Sequence, residues 1–103
     1  MKIAITSSGL NLDSAIDPKF GRCAYLTLFD TDSNTFTVTA NPFQNAHGGA
    51  GTQTAQWVLN QNATVLLTGH CGPKAAAVLN AENIRVVEGV TGTVREALAQ
   101  LSY

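Results

Sequence analysis

No part of the sequence carries the long apolar run that a bilayer span or a signal-peptide core requires; the first such run covers three residues and ends at Thr6. The expectation is a cytoplasmic protein with no membrane partner. Positive charge is equally scarce. Six Lys and Arg stand against seven Asp and Glu, for a net charge of -1, and no stretch sets cations between aromatics as a nucleic-acid groove does, so no nucleic-acid partner is expected. Cysteine occurs only at Cys23 and Cys71, too few for a disulfide framework; in a reducing compartment the pair reads as free thiols or ligands. Internal repeats, low-complexity tracts and charge runs are missing as well. A chain of 103 residues cannot feed two cores, so residues 1–103 are expected to form one domain.

What is present is concentrated. Both cysteines and both histidines lie in three glycine-bearing stretches, Phe20-Gly21-Arg22-Cys23, His47-Gly48-Gly49-Ala50-Gly51 and Gly69-His70-Cys71-Gly72-Pro73. Around them the periodicity predicts a short strand over residues 2–6 and a longer one over 23–30. A third, over 35–40, places Phe36, Val38 and Ala40 on one face. The turn-forming residues at 30–34 make the last two strands an antiparallel hairpin. From Thr52 the period changes: Ala55, Val58 and Leu59 share a helical face to about Asn62, after glycines that mark the helix start. Residues 63–68, with Val65, Leu66 and Leu67 in a row, read as a central parallel strand buried on both faces. Pro73 opens a second helix that Asn83 ends, residues 84–87 form a last strand, and Val94, Ala97, Leu98 and Leu101 line a final helix. Thr93 and Glu96 have the spacing of a capping box at its start.

The order β-β-β-α-β-α-β-α, joined by right-handed crossovers, predicts an α/β fold with a mixed five-stranded sheet ordered 3-2-1-4-5, strand 2 antiparallel and helices on the faces. That order sends Ser7, Ser8, Arg22, Cys23, His47, His70 and Cys71 to one edge, at the switch point between strands 1 and 4 where α/β sheets bind ligands. The helices starting near Thr52 and Pro73 aim their N-termini at the same edge, and Lys19, Arg22 and Lys74 flank it. Free N–H groups and partial positive charge at helix N-termini suit an anion. Cys71, two residues before Pro73, sits where a helix end favours its thiolate.

Familiar alternatives fail on spacing. The 48–51 glycines have Thr54 where a dinucleotide loop needs its third glycine, and no acidic residue ends the following strand. Residues 69–74 lack the spacing and the Lys-Ser/Thr of a phosphate loop. Cys23, His47, His70 and Cys71 match no structural zinc pattern, and adjacent His70 and Cys71 in an extended segment point to opposite sides. Three of the four also have an ordinary reading, Cys23 as a small buried hydrophobe and the two histidines as surface loop residues.

The element Ile16-Asp17-Pro18-Lys19-Phe20-Gly21-Arg22-Cys23-Ala24-Tyr25, then Asn41-Pro42, His47-Gly48-Gly49-Ala50-Gly51, residues 69–75 and Thr93-Val94-Arg95-Glu96-Ala97-Leu98 resemble the dinitrogenase iron–molybdenum cofactor biosynthesis family, with its NifX-like carriers, over nearly the whole chain. The resemblance implies a three-layer ribonuclease-H-like fold. It also implies a non-catalytic carrier or scaffold for an iron–sulfur or molybdenum–iron–sulfur cluster, with cluster donor and acceptor proteins as partners. The cofactor-binding set is then expected to be Arg22, Cys23, His47, Gly48, Gly49, Gly51, His70, Cys71 and Gly72, with Cys71 and His47 as the metal ligands. Two other classes stay open: a small thiol-dependent enzyme using Cys71 with His47 as base, and a binding module for another small anion. A nuclease is disfavoured, because residues 2–8 contain no carboxylate to hold a divalent metal.

Overall fold

The computed structural model describes residues 1–101. Their order is β1 (Lys2–Ser7), β2 (Tyr25–Asp30), β3 (Thr35–Ala40), α1 (Ala50–Asn60), β4 (Ala63–Leu67), α2 (Pro73–Ala81), β5 (Arg85–Val87) and α3 (Val94–Gln100). The five strands form one sheet ordered β3-β2-β1-β4-β5. β2 runs antiparallel to β1 and β3, while β1, β4 and β5 are parallel. This is the expected topology.

Strand alternation divides the core into two layers. Ala4 and Leu66 face α1 and α2, where they pack with Phe20, Ala55, Val58, Ala75 and Leu79. Ile3, Ile5, Val65 and Leu67 face the other way, onto Val94, Ala97 and Leu98 of α3. Ile3, Ala4, Ile5 and Leu66 are completely buried, as central strands covered on both faces must be.

Local chemistry sets the ends of the elements. Asn34 closes the β2–β3 turn at φ 56°, and Asn62 and Asn83 follow α1 and α2 at φ 61° and 62°, a left-handed conformation that asparagine tolerates better than most residues. The Thr93–Glu96 capping box is formed in both directions: Glu96 N–H donates to Thr93 Oγ1 at 3.1 Å and Thr93 N–H to Glu96 Oε1 at 2.9 Å. Several boundaries shift by one or two residues from expectation, β1 running on to Ser7 and β4 stopping at Leu67 among them, and three of the shifts have a clear cause. β2 begins at Tyr25, not Cys23, because Cys23 N–H turns back to Phe20 O and Ala24 N–H is taken by the Asp17 carboxylate. α1 begins two residues before Thr52, since Gly49 already serves as its N-cap. β5 loses Ile84, whose N–H donates to Leu79 O at the end of α2.

Candidate functional site

The connection from β1 to β2, residues 8–24, does not leave the sheet edge; it folds across it. Asp17 N–H donates to Thr6 O at 3.0 Å and the Thr6 hydroxyl donates back to Asp17 O at 2.8 Å. The Asp17 carboxylate then accepts Lys19 N–H at 3.0 Å and Ala24 N–H at 3.1 Å. One aspartate thus fixes both ends of the 18–23 turn. The turn is joined to the loop after β4 by a reciprocal pair, His70 N–H to Pro18 O at 2.8 Å and Phe20 N–H to His70 O at 3.1 Å. Two glycines permit this packing. A Cβ on Gly69 would lie 2.6 Å from Pro18 Cα, and one on Gly21 would lie 2.6 Å from Gly51 N, both far inside van der Waals contact. Phe20, 1% exposed, anchors the turn in the core.

The result is a cleft of about 670 Å³ with three walls: residues 18–22, 49–52 and 70–75. The volume suits a small-molecule-sized ligand. α1 and α2 both open into it, capped by Gly49 and Gly72 with no side-chain hydrogen bond and no acidic residue in either first turn. The first N–H groups of a helix have no intrahelical partner, so both helix ends present donors and partial positive charge to the cleft, about 0.3–1 kcal/mol of attraction for an anion at each. Lys19, Arg22 and Lys74 line the walls and no Asp or Glu does. The net charge of the chain is -1, so this concentration of cations is local.

Arg22 has a second task. Its Nη1 donates to Gln44 O at 2.9 Å and to Ala46 O at 2.7 Å, clasping the loop between β3 and α1. Asn41 holds the base of the same loop: Nδ2 donates to Gly21 O at 3.0 Å and Cys23 O at 3.1 Å, while Oδ1 accepts Phe43 N–H at 3.0 Å.

The expected site residues separate into two groups. Arg22, Gly49, Gly51, His70, Cys71 and Gly72 line the cleft. Cys23 does not: it is fully buried, with Asn41 Nδ2 3.5 Å from its sulfur, and burial followed by the Asp17 charge pushes its thiol up to about 12. His47 and Gly48 are exposed on the loop outside the lining. Ser7 and Ser8 are turned away as well, Ser7 to Thr27 and Gly9 O, Ser8 to Ala15 O, because the folded-back 8–24 segment occupies the exit of β1. Cys71 also departs from expectation in its acidity. It is 7% exposed, and burial followed by the Glu88 carboxylate pushes its thiol up to about 11, which outweighs the helix end.

Three residues outside the expected site set also shape the site. Asp17 and Asn41 organise the two loops as described, and Glu88 accepts Cys71 N–H at 3.0 Å with His70 Nδ1 3.4 Å away. Asp17 and Asn41 stand in the sequence runs that carry the family resemblance, without a role attached to either; Glu88, after the edge strand, has no such signal. Both cysteines are free thiols, and among the described residues no three His, Cys, Asp or Glu come together to hold a metal ion. The donor set therefore suits an anionic body contacted over its surface better than a chelated single ion.

Solved structures share this architecture. The apo form of the orange protein from Desulfovibrio gigas is 38% identical, with a TM-score of 0.91 over 96% of this chain and 84% of that one. A Thermotoga protein described as a candidate NifB protein of the DUF35 family is 31% identical, with a TM-score of 0.81 over 95% of this chain and 84% of that one. No curated protein matches. The dinitrogenase iron-molybdenum cofactor family matches residues 1–102, and the chain belongs to that family.

Proposed function

We propose that the protein is a non-catalytic carrier that binds an anionic iron–sulfur or molybdenum-containing metal–sulfur cluster as cargo in the cleft between α1 and α2. One observation carries the reading: two helix N-termini without side-chain caps and three cationic side chains surround one cleft whose lining has no carboxylate. A sulfide-rich cluster is bulky, polarisable and negative, so distributed N–H donors and cations match it. Cys71 is the thiol on the wall and the first choice for a direct bond to metal; a bond there displaces its proton. His47 reaches the cargo only if its loop moves inward. Family membership points in the same direction. Donor and acceptor proteins meet the cargo at the open mouth, where Lys19, Arg22 and His70 stand.

The thiol-enzyme alternative has less support. A nucleophile needs thiolate at working pH, and Cys71 holds its proton to about 11. The test is anaerobic reconstitution with ferrous iron and sulfide, with and without molybdate, followed by desalting and elemental analysis. Colour and metal that stay with the chain support the carrier; a colourless, metal-free chain under every condition overturns it. Cys71→Ala separates direct ligation, which that variant loses, from capture by donors and cations alone, which it keeps.

A further inference from the structure

Arg22 gives only part of its guanidinium to the loop. The group carries its N–H donors in a planar fork. Nη1 serves the Gln44 and Ala46 carbonyls, at 2.9 and 2.7 Å. Nε and Nη2 make no hydrogen bond or ion pair to any described residue. Those two nitrogens share one edge of the fork, which offers parallel N–H bonds to a pair of neighbouring acceptor atoms. Arg22 is half-buried on the cleft wall, and with Nη1 turned to the loop this edge is what it has left to offer a ligand.

Asn41 sets where that edge stands. It is buried, and its Nδ2 donates to Gly21 O at 3.0 Å and Cys23 O at 3.1 Å, the carbonyls on either side of Arg22. Its own N–H donates to Ala24 O, while its Oδ1 accepts Phe43 N–H and starts the turn that delivers the carbonyls of residues 44 and 46. One amide therefore grips the backbone under Arg22 and the segment that grips the Arg22 side chain. A fork aimed in advance loses less freedom on binding than one its ligand must order. From this interlock we infer that Asn41 is a positioning residue of the cleft: acting through Arg22, it keeps the Nε–Nη2 edge ready for an anion that sets two acceptor atoms side by side, in preference to a single-atom anion. Two sulfurs on one metal of a cluster present such a pair, as do two oxygens of a carboxylate or phosphoryl group. The inference rests on the proposed carrier function only where it names a cluster as the anion.

The test follows the Arg22 Nε–H by nitrogen-15 relaxation and titration in the metal-free chain. In the parent this group should be markedly more ordered than that of Arg85, which is exposed on the edge strand. Asn41→Ala should bring it to the level of Arg85 while the amides of β1 and β4 exchange as in the parent. Formate, with two oxygens, should shift the Nε–H where chloride of the same charge does not. Asn41→Ala should weaken formate binding about fivefold, the upper range for a partly exposed charge. In the chain reconstituted with ferrous iron and sulfide, Arg22→Ala, Asn41→Ala and the double variant should lose metal by the same step, and Lys74→Ala should add to it. Four results overturn the inference: a parent Nε–H as loose as that of Arg85, a response to chloride equal to that to formate, an Asn41→Ala chain whose Arg22 stays ordered, or losses from Arg22→Ala and Asn41→Ala that add. The first two need no variant, so they decide the matter even if Asn41→Ala does not fold. Formate binding by a chain that retains no metal overturns the carrier reading alone and assigns the fork to a carboxylate or phosphoryl ligand.

Discussion

The α-carbon of Gly21 rests against the backbone of Gly51, so closely that a Cβ on Gly21 would sit 2.6 Å from the amide nitrogen and 2.7 Å from the α-carbon. The reverse is not true: a Cβ on Gly51 would meet only the Ala75 methyl, at an ordinary 3.6 Å. One contact therefore seats the 18–22 turn on the first turn of α1 and draws two walls of the cleft together. Gly21→Ala should cost about 1–3 kcal/mol in a denaturant melt, because backbone on both sides must shift. Gly51→Ala should be neutral or stabilising by up to about 1 kcal/mol, since glycine inside a helix gives up more chain entropy than alanine. Equal losses in the two would show that the close approach is not what matters.

Arg22 belongs to both cleft and loop. The guanidinium that lines the cleft also holds the Gln44 and Ala46 carbonyls, so an anion placed in the cleft would compete for it. Arg22→Ala should speed amide exchange over residues 43–48 while leaving β1 and β4 as slow as in the parent. Arg22→Lys should fall between the parent and the alanine variant, since a single nitrogen, Nη1, makes both bonds and a lysine ammonium can donate to two carbonyls where its shorter reach allows. Unchanged exchange in both variants would mean that Asn41 alone anchors the loop.

Both thiols hold their protons unusually tightly, Cys23 to about 12 and Cys71 to about 11, against an ordinary 9.0. The unfolded chain ionises these thiols near 9 and the folded chain does not, so their contribution is complete below that value and declines as pH rises toward 11 and 12. Stability should fall with pH above about 9, and the Cys23→Ala, Cys71→Ala double variant, though less stable at neutral pH, should fall less steeply. Alkylation at neutral pH should be slow at both sites and slower at Cys23, which is wholly buried whereas Cys71 is 7% exposed. A fast-reacting Cys71 in the metal-free chain would revive the enzymatic reading.

How far the sequence reveals this site depends on how far apart its causes lie. Sheet order followed from one hairpin and two crossovers, and Pro73 with Gly72 marked the α2 end of the cleft, because those signals are local. Cys23 looked like an edge ligand for the same reason: its neighbours Gly21 and Arg22 do reach the cleft. What buries it is Asp17, six residues back, and Asn41, eighteen ahead, and neither shows in a strand pattern. Cys71 misled through electrostatics. Its place before a helix start is legible, but Glu88, brought alongside by the β4–β5 pairing, is not.

The last prediction separates charge from ligation. If the cleft holds its cargo mainly as an anion, Lys19→Ala and Lys74→Ala should each lower metal retained after anaerobic desalting, the pair together more than either, and the loss should grow with ionic strength because the side chains are partly open to solvent. Arg85→Ala, on the edge strand away from the cleft, should change nothing. His47→Ala should retain nearly as much as the parent unless the loop closes inward, and Cys71→Ala should fall sharply only if the thiol bonds to metal. Each helix end and each cation supplies on the order of 1 kcal/mol or less, so no single removal should abolish binding, whereas a lost metal–sulfur bond should. Retention that is indifferent to Lys19, Lys74 and salt but abolished by Cys71→Ala would make the cleft a ligation site first and an anion trap second.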